Sequence, residues 1–181
     1  AKRIFSTSKI LISLIGKQRS MDPLAWPNEL DQWMALPGIG RSTAASIISS
    51  AYDLPSSILD GNVKRIITRL IASDIPPEKN QKQLWQISDL LLSVSFPRDF
   101  NQALMDLGAT ICTSNNPTCS ICPLNNQCLA YLGYDPSDYP KKEMKQPKCF
   151  QEIGIGLVFN KNGELLIDQR LESSSMGGMW E

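Results

Sequence analysis

Between residues 4 and 112 the apolar positions recur every three or four residues, and after residue 150 they alternate. The first rhythm predicts helices and the second predicts strands. "IFSTSKILISLIG" (4–16) reads as an amphipathic helix with Ile4, Leu11 and Ile15 on one face. "MDPLAWPNEL" (21–30) is a proline-punctuated loop. "NELDQWMALPGIGRSTAASIISSA" (28–51) reads as two helices around a tight turn. Pro37-Gly38 stops the first, Gly40 lets the second begin close to its neighbour, and Ala44, Ile47, Ile48 and Ala51 form the second's apolar stripe. After Asp60, the spacing of Val63, Ile66, Ile67, Leu70 and Ile71 predicts another helix. "PPEKNQKQLWQISDLLLSVSF" (76–96) follows, with proline where helix starts tolerate it. "DFNQALMDLGATIC" (99–112) places Phe100, Ala103, Leu104 and Leu107 on one face. Trp33 and Trp85 read as core aromatics. No strand pattern stands out before Cys128, so this region is expected to be all-α.

The texture then changes. "GYDPSDYPKKEMKQPK" (133–148) is rich in Pro, Lys and Asp without apolar periodicity, which predicts a linker. Beyond it, "IGIGLVF" (153–159) and "ELLIDQR" (164–170) flank "NKNG" (160–163), a β-hairpin pattern. A second, β-containing domain is therefore expected from about Phe150.

Composition narrows the chemistry. The chain has 181 residues, 42% of them apolar, enough for one core or for one domain plus part of another. It opens at Ala1 and stops at Glu181, directly after "GGMW", so both ends are expected to be cuts through a longer protein. No apolar run is long enough to span a bilayer, and no targeting signal is visible, so the expectation is a cytoplasmic protein with no membrane partner. Eighteen basic residues balance eighteen acidic ones, so any phosphate contact would lean on backbone N–H groups. There is no histidine. That removes Ser-His-Asp and Cys-His nucleophile systems and any histidine-bearing zinc site.

Three local patterns carry candidate chemistry. Cys112, Cys119, Cys122 and Cys128 read C-x6-C-x2-C-x5-C, a set that either zinc or a [4Fe–4S] cluster would accept. Such a site is either a structural staple or an electron-transfer centre; Cys149 stands apart in the linker as a spare thiol. "LPGIG" (36–40) is either an ordinary αα-hairpin turn or one whose N–H groups face a phosphate oxygen. Asp60 is either a helix cap or a catalytic acid, and a helix N-terminus would favour its ionised form. Asn62 reads locally as a helix-start residue.

Taken together and in this order, the hairpin, the helix led by Asp60 and the four-cysteine loop resemble the helix-hairpin-helix DNA glycosylase superfamily. The resemblance covers residues 1–130. Endonuclease III-like members carry a Schiff-base lysine two residues after the last hairpin glycine; here that position is Ser42, in "GIGRSTA". A hydroxyl cannot form a Schiff base. "ILDGNVKR" and "FNQALMDLGATIC" are similar to the A/G-specific adenine glycosylases (MutY-type). The tail "GLVFNKNGELLIDQR…GGMWE" resembles the opening of the Nudix-like domain that this branch uses to read 8-oxoguanine.

The resemblance implies a mainly α fold: a helix-hairpin-helix glycosylase domain over 1–130 with a cluster loop at 112–128, a linker at 131–149, and the start of a small α/β Nudix-like domain over 150–181. It implies a [4Fe–4S] cluster on Cys112, Cys119, Cys122 and Cys128. It implies a monomer that binds double-stranded DNA containing an A:8-oxoG or A:G mispair and hydrolyses the adenine N-glycosidic bond. Asp60 would be the ionised catalytic carboxylate, with Ser42 and Asn62 near the sugar. Leu36, Gly38 and Gly40 would contact phosphate through the backbone, with Arg41 either adding charge or remaining a solvated surface group. The family's glutamate proton donor, in a helix before the hairpin, has no counterpart in this chain, and the loop "TSNNPT" (113–118) lacks the basic residues often found there. Three rivals stand beside this reading: a bifunctional glycosylase/lyase, a non-catalytic DNA-binding module stapled by metal, and a small electron carrier.

Overall fold

Helical periodicity becomes helix in seven segments of the computed structural model, which describes residues 2–16, 26–143, 150, 152, 154–174 and 176–181. They are α1 (Lys2–Ile15), α2 (Leu30–Met34), α3 (Arg41–Tyr52), α4 (Gly61–Leu70), α5 (Gln81–Leu91), α6 (Pro97–Thr110) and α7 (Leu129–Gly133). Chain contacts divide the protein into two units, Ala1–Met144 and Lys145–Glu181. Among the described residues no helix is long and apolar enough to cross a membrane. Residues 21–25 of the expected loop, residues 144–149 of the expected linker, and Cys149 lie outside the described residues.

Helix α4 is the centre of the first unit, touching α5, α6 and α7. Its stripe Val63, Ile66 and Ile67 is buried with Ala45 of α3, Ile58, Leu59, Leu84 of α5, and Leu104 and Leu107 of α6. Each valine, leucine or isoleucine among them contributes about 1.5–3 kcal/mol relative to exposure. A smaller cluster of Trp33, Leu36, Ala44 and Ile48 locks α2 to α3. Trp33 is buried as expected, and its indole N–H donates to the Pro27 carbonyl at 2.7 Å; Trp85 is half-buried. The predicted apolar face of α1 is covered only in part. Leu11 leans on the smaller cluster, whereas Ile4 is 76% exposed.

Two boundaries shift for identifiable reasons. Pro76 and Pro77 open a turn, closed by Lys79 N–H to Pro76 O, so α5 begins at Gln81. Pro97 disfavours a helical residue before it, so α5 does not run to residue 96; α6 starts at the proline instead. Gly38 sits at φ +85°, and a Cβ there would lie 2.8 Å from Arg3 Cδ. Gly38→Ala is therefore expected to cost about 1–2 kcal/mol in denaturant unfolding.

The sequence reading of 131–149 as linker needs correction over its described part. Tyr139 is 4% exposed, Tyr134 packs edge-on against it at 5.9 Å, and the buried Arg69 side chain binds the carbonyls of Pro136 and Tyr139. A polar, proline-rich stretch is held here by a cation from α4, a contact that apolar periodicity does not register.

Among its described residues the second unit keeps the turn but not the expected strands. Asn160 Oδ1 accepts the N–H groups of Asn162 and Glu164, and Gly163 takes φ +80°. Among the described residues the pairing is limited to isolated antiparallel bridges, Phe159 with Leu165 and Gln169 with Trp180. Leu157, Phe159 and Leu166 are exposed, and a hairpin without a buried face is marginal.

Candidate functional site

The stretch before α4 turns Asp60 into the helix N-cap. Asp60 is extended (φ −85°, ψ −173°) and its Oδ1 accepts the Val63 N–H at 2.8 Å. One carboxylate oxygen is thereby fixed, which orients the whole group. Ser42, in the first turn of α3, accepts the Leu59 N–H at 3.0 Å through Oγ. The starts of α3 and α4 are thus tied together one residue from Asp60. Both residues line a cavity of about 210 Å³, shared with Thr43, Ser46, Ile58 and Met105. Two helix N-termini facing one cavity present partial positive charge to it, together with one carboxylate and three hydroxyls. Ser42→Ala would leave the Leu59 N–H without its acceptor. The expected loss is about 1–3 kcal/mol of stability, read by denaturant titration.

The hairpin residues divide. Gly40 is the N-cap of α3, with ψ 173°, and its carbonyl accepts the Ala44 N–H at 2.9 Å. The N–H groups of the first turn of a helix have no intrahelical partner, so this end can receive an anion. Gly38 supplies the left-handed backbone of the turn. Leu36 does otherwise: its N–H donates to Trp33 O at 3.1 Å and its side chain is buried, so it builds the turn and its N–H is already committed. Arg41 is partly exposed but not free. Its Nη2 bonds both oxygens of Asp89, at 2.7 and 3.0 Å, and its guanidinium lies 3.8 Å over the Trp85 ring. Asp89 also accepts from Ser57 Oγ, so this group braces α3 against α5.

Asn62 is not among the cavity-lining residues. Its Oδ1 accepts from Arg65 Nη2 at 3.0 Å, and it packs against Gly108, where a Cβ would stand 2.6 Å from Asn62 Cβ. Arg65 turns inward, donating also to the carbonyls of Gly108 at 2.7 Å and Cys112 at 2.8 Å. The segment that carries Asp60 is thereby joined to the first cysteine.

Cys112, Cys119, Cys122 and Cys128 line one small cavity with Arg69, Ile111, Asn125, Tyr131 and Pro136. Cys119 opens one 3₁₀ turn (Cys119–Ile121), Cys122 caps it, and Cys128 caps α7. Burial pushes the Cys119 thiol up, and the neighbouring Cys112 and Cys128 push the same way; Arg69 pulls it down and Cys122 raises it further. Four sulfurs sharing one cavity beside a cation form a donor set suited to a thiolate-bound metal centre. No three His, Cys, Asp or Glu among the described residues close on a point that would hold a single ion. A larger apolar groove, about 510 Å³, runs past Leu70, Phe100, Leu104, Leu107 and Leu124. Its polar lining residues are Asp106, Thr110 and Gln127.

Sequence reading singled out Asp60 and Ser42, and the structure brings them together. It missed Thr43, Ser46 and Met105, which carry no motif of their own. Arg65, which by sequence could face either DNA or water, turns inward instead, and Arg69 was missed; their i,i+4 spacing on α4 is the available signal.

No family model matches the chain. It is 41% identical over 132 residues to an adenine DNA glycosylase of Buchnera aphidicola subsp. Baizongia pistaciae, covering 73% of this chain and 36% of that one. It is 44% identical over 191 residues to the adenine DNA glycosylase of Mus musculus, covering 81% of this chain and 37% of that one. The chain spans about a third of the length of these curated relatives. Among solved structures it is similar to a thermostable thymine-DNA glycosylase, with TM-score 0.60 and 27% identity over 72% of this chain and 58% of that one. It is also similar to endonuclease III in a trapped covalent intermediate with DNA, with TM-score 0.51 and 26% identity over 70% of this chain and 55% of that one.

Proposed function

This chain belongs to the family of adenine DNA glycosylases, and from that premise we propose that the whole protein that carries it hydrolyses the N-glycosidic bond of adenine mispaired with 8-oxoguanine or guanine. The observation that carries the proposal is the meeting of Asp60 and Ser42 over one cavity at two helix starts. Adenine within a duplex must be flipped out before a protein can reach its glycosidic bond, and breaking that bond leaves an oxocarbenium-like sugar. The Asp60 carboxylate, held by the Val63 N–H, would stabilise that cation as it forms. Protonation of the departing base needs a second acid. Helix α1 carries no Asp or Glu, so another part of the whole protein would supply the donor. The first turn of α3, after Gly40, would hold a backbone phosphate of duplex DNA.

Cys112, Cys119, Cys122 and Cys128 would hold a [4Fe–4S] cluster. Such a group supplies a structural staple and a one-electron couple when bound. The residues from 150 onward are the proposed start of a Nudix-like domain that reads the opposite base. We further propose that the whole protein is a cytoplasmic monomer.

The endonuclease III-type alternative requires an amine nucleophile where this chain has Ser42. The test is single-turnover incubation of the whole protein with duplexes carrying A:8-oxoG, A:G or A:T. Free adenine from the first two and none from A:T is the expected result; release of no base from any duplex rejects the proposal.

A further inference from the structure

Arg69 is 2% exposed, yet each of the acceptors it meets is uncharged. Its Nε donates to the carbonyls of Pro136 at 2.9 Å and Tyr139 at 3.0 Å. Its Nη1 donates to the Thr113 carbonyl at 2.7 Å and to Cys112 Sγ at 3.3 Å, and its Nη2 to the Ser114 carbonyl at 3.3 Å. These bonds engage all three nitrogens of the fork without neutralising its charge. A cation taken out of water costs several kcal/mol unless an opposite charge repays it. Asp74, which bonds the Tyr139 side chain, is not among its acceptors. The groups positioned to repay it are the four cysteines that share its cavity, which carry negative charge once deprotonated to thiolates.

Resting on the four-thiolate cluster reading above, we infer that Arg69 is the buried countercharge of that site: it raises the reduction potential of the bound cluster, and its carbonyl bonds clip residues 136–139 over it. The sign follows from charge. Reduction adds an electron to a group that four thiolates already make negative, and a nearby fixed cation favours the more negative form. Net charge and hydrogen bonds to the sulfurs are the factors that set such potentials, and Arg69 supplies both. The clip accounts for the order in 136–139, where the sequence predicts a linker. Arg69 is a positioning and tuning residue, well separated in role from Asp60.

The test compares the whole protein with its Arg69→Met and Arg69→Lys variants. Iron and sulfide are measured first, then the potential by voltammetry, then the half-life of the cluster absorbance under a chelator. Arg69→Met is expected to shift the reduction equilibrium about tenfold toward the oxidised form, about 59 mV for one electron. Arg69→Lys keeps the charge and is expected to shift it by less than half as much. Both variants lose the planar fork and are expected to lose the cluster several-fold faster than the unaltered protein. An unchanged potential in Arg69→Met overturns the inference and leaves the cluster reading standing. Zinc in place of iron in the unaltered protein overturns the cluster reading, and the inference with it. Where Arg69→Met loads no cluster, Arg69→Lys decides: a potential near that of the unaltered protein supports the countercharge, and a full tenfold fall overturns it.

Discussion

Asp60→Asn is expected to lower adenine release by the whole protein about a thousandfold while leaving duplex affinity within a few fold. The substitution separates the two roles of this residue. Asparagine caps a helix about as well as aspartate, so its side-chain oxygen can still accept the Val63 N–H and α4 keeps its start. What disappears is the negative charge facing the cavity shared with Ser42, Thr43 and Ser46. Asp60→Ala removes cap and charge together, and should add about 1 kcal/mol of instability to the same catalytic loss. Single-turnover release and a binding isotherm, run on both variants, distinguish these effects. A near-normal rate in Asp60→Asn would reduce the residue to a cap.

Gly108→Ala is expected to cost about 1–3 kcal/mol, the range for overpacking in a close contact. The added Cβ would sit 2.6 Å from Asn62 Cβ, 3.1 Å from its Cγ and 3.4 Å from its Cα. The last of these is backbone, so rotating the Asn62 side chain cannot relieve all of the crowding. Relief requires α4 and α6 to part, and those helices share Val63, Ile66, Leu104 and Leu107 in one core. The same movement would strain the Arg65 bonds to Asn62, Gly108 and Cys112. Denaturant unfolding reads the stability loss. A parallel fall in adenine release would show that α4 must sit against α6 for Asp60 to act.

Much of this architecture is visible in the apolar spacing. Val63, Ile66 and Ile67 predict the buried face of α4, and the structure buries them. The hairpin glycines predict the α2–α3 turn for a similar reason: the requirement is local to the backbone. Residues buried from the other side of a helix are harder to foresee. Arg65 and Arg69 lie off the apolar stripe of α4, where a helical pattern predicts solvent. They are covered because the cysteine loop and residues 136–139 fold back over that face. Arg41 shows the converse. Its neighbours suggest a free charge at a phosphate-binding turn, but Asp89 and Trp85, more than forty residues away, engage it. The β pattern after residue 150 is local too, yet its apolar residues stay exposed and the pairing remains at isolated bridges. Asp60 reads locally as a cap or an acid, and the resemblance, not the local pattern, marks it as catalytic and Ser42 as the residue at the lysine position.

Ser42 stands where a Schiff-base lysine would have to be, so in the proposed reaction a carboxylate supports hydrolysis of the adenine glycosidic bond without a covalent imine. The most direct measurement is strand analysis of a duplex labelled on its adenine strand and carrying 8-oxoguanine opposite, after single-turnover incubation with the whole protein, one sample then taken to alkali and a separate one incubated with borohydride to trap any adduct. The account predicts an intact strand that breaks at the adenine site only after alkali, with no protein–DNA adduct. Breakage without alkali together with a borohydride-trapped adduct, or a strand that alkali leaves whole, would contradict it.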